Sequence, residues 1–186
     1  MLLRSLAPDA IILATGATPL ILPIPGLSGC GYVTAQDMLD GKTPMGGSVL
    51  VVGGGMVGCE AAEYLAERGH RVAVIEMKDV IAADVTPENR RYMFKNFEEN
   101  HVLLCPSAKV TRFYPDGVDY VLADGTAGSL RGYDNIVLAM GSRSNTALKE
   151  TCEKVAGQVL VIGEAAKAPG NAVLATGDAL EAALKI

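Results

Sequence analysis

Four glycines and one carboxylate carry most of the chemistry in this sequence. Gly53, Gly54 and Gly55 stand between an apolar run, Ser48 to Val52, and a helix-forming stretch that opens at Met56 and Val57, and Gly58 lies in the first turn of that stretch. In Gly53-x-Gly55-x-x-Gly58 the first glycine can make a tight turn. The second can let a bulky anion approach the backbone, and the third can let helix and strand pack closely. The helix would turn its first N–H groups and the positive end of its dipole toward that anion. Glu76 closes the next apolar run, just before Met77, at the roughly 20-residue spacing of an acid that accepts hydrogen bonds from adenosine ribose hydroxyls. A carboxylate there repels a 2′-phosphate, so the set points to the ADP half of NAD(H) rather than NADP(H); Lys78 is a nearby cation that softens the preference. Glu60, one turn into the helix, has two open readings: a first-turn carboxylate favoured by the dipole, or a group facing the nicotinamide end.

These residues need a strand, a turn, a helix and a second strand to position them. The spacing predicts strands at Ser48 to Val52 and Arg71 to Glu76, joined by a helix from Met56 to Arg68 and closed by Gly69, making one βαβ unit. Thr86-Pro87 reads as an N-cap and first helical position for a helix reaching Asn100, followed by a strand at His101 to Cys105. Both histidines, His70 and His101, read as ordinary strand-start residues. Runs at about 107–114, 117–123 and 128–132, punctuated by Pro115-Asp116-Gly117 and Asp124-Gly125, predict an antiparallel meander appended to the parallel sheet. Buried strands are also expected at 9–16, 135–140 and 159–162, with a short helical turn capped by Thr34 and a closing helix at 171–184. The fold class is therefore α/β: Rossmann-like, with a parallel sheet, helices on both faces and an antiparallel β-meander.

Composition narrows the function classes. The chain has 186 residues, 49% of them apolar, with 21 glycines against 9 prolines, which suits a packed α/β domain. A formal charge of −5 with no basic stripe argues against nucleic acid as a partner. The apolar stretch from Ala10 to Leu27 is interrupted by Gly16, Pro19, Pro23, Pro25 and Gly26, short of the roughly 20 residues a membrane span needs. Cys30, Cys59, Cys105 and Cys152 are scattered, without CxxC or metal-ligand spacing, so reduced thiols and a cytoplasmic location are expected.

The order Ala14-Thr15-Gly16, Gly53 to Glu76, Ala139-Met140-Gly141 with Asn145, then Val161-Ile162-Gly163-Glu164 resembles the pyridine nucleotide-disulfide oxidoreductase superfamily of two-dinucleotide-domain flavoproteins. Its likeness is greatest to the C-terminal FAD/NAD(P)-binding part of NADH:flavin oxidoreductases such as 2,4-dienoyl-CoA reductase and trimethylamine dehydrogenase. The resemblance implies an NAD(H)-binding domain, residues 45–150, inserted between pieces of an FAD domain, 1–44 and 151–186. It places Glu60 near the nicotinamide, Gly141 close to the bound nucleotide, and Gly163-Glu164 where the family has a Gly-Asp contacting FAD. Glu164 and Ser144 depart from the family's Asp and frequent Pro. An N-terminal FAD glycine loop, an FMN barrel and iron–sulfur cysteines are not found, so the chain reads as a fragment starting mid-domain and ending at a natural terminus. The implied function is an NAD(H)-binding module positioning NADH for hydride transfer to a flavin held by the FAD/FMN-bearing remainder. No side chain need act as acid or base. A structural ADP-binding module without turnover, and an FAD-adenosine site, remain alternatives.

Overall fold

The computed structural model describes residues 5–186. In chain order the first elements are β1 (Ala10–Leu13), β2 (Ala17–Pro19), β3 (Val33–Thr34), α1 (Ala35–Leu39), β4 (Ser48–Val52), α2 (Met56–Ala66) and β5 (Arg71–Ile75). Next come α3 (Pro87–Glu99), β6 (Leu103–Cys105), β7 (Ala108–Tyr114), β8 (Gly117–Leu122), β9 (Ala127–Leu130) and β10 (Asn135–Leu138). The last are β11 (Ser142–Ser144), α4 (Lys149–Glu153), β12 (Gln158–Val161) and α5 (Ala172–Ala183). They form two compact units: Ile21–Met140, and the segments up to Leu20 and from Gly141.

Ile21–Met140 is built on a parallel sheet of order β3-β10-β4-β5-β6. Ser-Val-Leu-Val-Val in β4 lacks polar alternation because both its faces are covered. Val49, Val51, Val72, Val74 and Val137 meet α1, α2 and α3 on one face. Leu50, Val52, Ala73, Ile75, Ile136 and Leu138 meet Phe113, Val118 and Tyr133 on the other. Helices therefore cover one face only, a correction to the expected two. The meander forms its own three-stranded sheet, β7-β8-β9, and covers the second face instead. Its alternating residues can bury one side and leave the other wet, which parallel strands ordinarily do not do.

The second unit contains two small sheets. β1 pairs in parallel with β12, and β2 pairs antiparallel with β11. The compact units divide at 20/21 and 140/141, beside the domain limits of 44/45 and 150/151 that the resemblance implies; Val33–Thr34 hydrogen-bonds β10 and continues into α1, which joins this stretch to the larger unit. Thr34 caps α1 through Asp37 N–H, as expected. Thr86 does not cap α3 with its side chain; Pro87 at the first position already removes one donor in need of a partner. His70 Nδ1 lies 2.6 Å from the Gly46 carbonyl at the start of β5. His101 instead sits at φ +55°, in the left-handed turn that ends α3.

Candidate nucleotide site

The glycine loop joins β4 to α2 at the carboxyl end of the parallel sheet, where ligands of such sheets bind. Two of its motif glycines are required by packing. Gly53 has φ +110°, and a Cβ there would overlap the Ala139 carbonyl; one on Gly58 would overlap the Gly53 carbonyl. Gly54 is similarly confined by Glu76 and Ile81. Gly55 differs. Its φ of −75° suits any residue, and the nearest atom to an added Cβ is a carboxylate oxygen of exposed Asp84, 3.4 Å away. The protein fold does not demand glycine at 55.

Helix α2 starts here with no acidic residue in its first turn and no side-chain cap from Gly55. Helix geometry leaves its first N–H groups without intrahelical acceptors, an arrangement suited to an anion. Met56, Val57 and Met77 are exposed around the loop, giving apolar contact area of the kind a base ring needs. Glu60 is exposed on the same helix.

Glu76 lies just past β5 and is buried. Its Oε2 accepts from Gly54 N–H at 2.6 Å and Oε1 from Lys78 N–H at 2.8 Å. Each oxygen keeps a lone pair, so the carboxylate can hold the loop and still accept from hydroxyls. Residues 78–85 then run against the glycine loop. Ala82 N–H donates to Gly54 O at 2.7 Å, and Asp84 Oδ1 accepts from Met56 N–H at 2.8 Å. The same segment lines an open groove of about 780 Å³ with Lys78, Arg90 and Arg91. Cys59, one turn into α2, is pushed up to about 12 by burial first and the Asp84 charge second, which makes it an inert thiol. All four cysteines are free, and the described residues contain no metal-binding cluster.

The structure thus brings together Gly53, Gly54, Gly55, Met56, Val57, Gly58, Glu60, Glu76 and Met77 in one unit. Gly141, Gly163 and Glu164 belong to the other. Gly141, at φ +97°, accepts Leu20 N–H at 2.9 Å. Thr15 Oγ1 donates to Asn145 O at 2.5 Å, joining the two glycine-ended segments singled out in sequence. Gly163 N–H donates to Asp178 Oδ2 at 2.9 Å, and Glu164 Oε1 accepts from Gly170 N–H at 3.0 Å. Sequence reading missed Asp84 and Asp178. Both act through backbone N–H groups distant in sequence, which no local pattern announces.

A family model described as pyridine nucleotide-disulphide oxidoreductase matches residues 3–184. An NADH oxidase of Thermoanaerobacter brockii is 38% identical over 168 residues, 88% of this chain and 26% of the relative. A 2-naphthoyl-CoA reductase structure superposes with a TM-score of 0.89 at 28% identity, covering 99% of this chain and 28% of that one. Histamine dehydrogenase from Rhizobium sp. 4-9 gives 0.86 at 17% identity, covering 100% of this chain and 31% of that one, a likeness of fold. The chain spans about a quarter of the length of the relative and the reductase it matches. No helix among the described residues is long and apolar enough to cross a membrane.

Proposed function

Because the chain belongs to the pyridine nucleotide-disulphide oxidoreductase family, we propose that it is the NAD(H)-binding module of a larger, cytoplasmic, flavin-dependent oxidoreductase. The observation that carries this reading is Gly55: its missing side chain serves no packing need and leaves, beside the N-terminus of α2, a space bordered only by the carboxylate of exposed Asp84, which a pyrophosphate can take when that side chain turns aside. Glu76 then accepts from the ribose, and Met77 offers apolar surface to the adenine. When bound, the nicotinamide supplies a hydride for a flavin carried by the FAD/FMN-bearing remainder of the protein. The chain's own contribution is orientation and electrostatics. Glu60 faces the nicotinamide half, Gly141 lies close to the bound nucleotide, and Gly163 and Glu164 belong to the flavin-side segments. One Glu164 oxygen is already engaged by Gly170 N–H, so a flavin contact through this side chain would use the other.

Calorimetric titration with NADH, NADPH, ADP and FAD tests the assignment. NADH binding tighter than ADP and NADPH supports it. Equal affinity for ADP and NADH would replace it with a structural nucleotide site, and a preference for FAD would make the loop a flavin site. Glu76→Gln retains a side chain of similar size but loses one of two acceptors. It should weaken NADH about tenfold and narrow the NADH/NADPH ratio.

A further inference from the structure

The segment after β5 fastens onto the glycine loop at three points of unequal permanence. Glu76 on Gly54 N–H is buried. Ala82 on Gly54 O is also buried, at φ +55°, and Arg90 Nε holds the neighbouring Ile81 carbonyl at 3.1 Å. The third contact differs: Asp84 is exposed, and its carboxylate reaches back to Met56 N–H, the first donor of α2. Its second oxygen stands 3.4 Å from where a Gly55 side chain would begin. That is the space Gly55 leaves for an anion.

We propose that Asp84 is a built-in competitor for the nucleotide pyrophosphate, occupying the Met56 N–H in the free protein and turning away when a dinucleotide binds. This rests on the nucleotide reading above. Two effects weaken binding together. The charged hydrogen bond to Met56 must be exchanged for one to phosphate, and a carboxylate near the site repels an incoming polyanion. Because the Ala82 and Glu76 attachments persist, the displacement is a side-chain rotation about Asp84 on the picosecond-to-nanosecond scale. Asp84 therefore lowers affinity without adding a slow closing step. It also makes the penalty depend on the ligand's phosphate charge and not on its base.

The test compares the unmodified chain with Asp84→Ala and Asp84→Asn by titration with NADH, ADP and adenosine, after circular dichroism establishes that the variants are folded. Asp84→Ala should tighten NADH and ADP about threefold to tenfold, the range set by one net hydrogen bond. Adenosine, lacking phosphate, should be unchanged. Asp84→Asn should fall between, because it keeps an acceptor and loses the charge. Raising ionic strength should shrink the gap between the unmodified chain and Asp84→Asn. Folded variants that bind NADH and ADP no more tightly than the unmodified chain overturn the inference and leave the nucleotide site standing. An equal gain for adenosine overturns it too, by removing the phosphate dependence. If neither the chain nor its variants bind any nucleotide, the nucleotide reading itself fails and this inference falls with it.

Discussion

Strands β4 and β12 are both short apolar runs in parallel pairing, yet they live in different surroundings. Every residue of β4 is buried, between strands on both edges, helices on one face and the meander on the other. Every residue of β12 is only half-buried, and in β1, its one partner among the described residues, Ile12 is 42% exposed. Helix α5 in the same unit exposes Val173, Leu174 and Leu180. Parallel strands are ordinarily covered on both faces. Ile21–Met140 carries its own core, whereas the smaller unit presents surface of a kind usually covered by more protein. The proposed place of this chain within a longer flavoprotein would supply that cover.

The contrast can be broken by truncation. Leu50→Ala, at a fully buried position, should cost about 3–4 kcal/mol in urea denaturation, while Leu180→Ala should stay within about 0.5 kcal/mol. Comparable losses would mean that the smaller unit is as tightly packed as the larger. Within the glycine loop, Gly58→Ala should cost about 2–3 kcal/mol because the new methyl meets backbone. Gly55→Ala should change stability by less than about 1 kcal/mol yet weaken NADH about tenfold. Equal stability losses at the two glycines would cancel the distinction between packing and ligand approach.

The smallest expected effect is electrostatic. Hydrogen bonds from Ser48 Oγ and N–H, helped weakly by the Arg71 charge and opposed by burial, hold the Asp134 carboxyl below its ordinary range. A carboxyl depressed on folding contributes stability that is full above its unfolded pKa, about 3.9, and is lost as pH falls through the lower folded value. Asp134→Asn should therefore lower stability slightly at pH 7 and flatten its decline below about pH 4, as followed by acid titration of the unfolding midpoint. A steeper decline in the variant would reverse the sign of this contribution.

The larger unit was legible in sequence where periodicity and turn chemistry agree. The β4–α2–β5 frame, the meander strands and the proline start of α3 follow from local residues. What escaped depends on pairing across long stretches. Val33–Thr34 is only two residues long and becomes a strand because β10 offers its edge; the Pro- and Gly-rich surroundings advertise a connector. Strands β2 and β11 exist through each other. The covering of the second sheet face was misread because βαβ patterning predicts helices there, while the meander's partial alternation suits it to the same task. At the site, Glu76 was visible through spacing, but its bond to Gly54 N–H was not. Asp84 lies in an irregular loop with no period to betray which backbone group it reaches.

The position of β10 between β3 and β4 also sets an order of events during synthesis. Its adjoining Asp134 meets Ser48 across 86 residues. At about 5–20 residues per second, one edge of β4 waits roughly 4–17 seconds for its partner while β5 and β6 are already available on the other side. During that interval the nascent sheet exposes an apolar strand edge, the kind of surface that invites wrong partners. A central strand delivered late makes the chain's vulnerability to aggregation a matter of timing as much as of final stability.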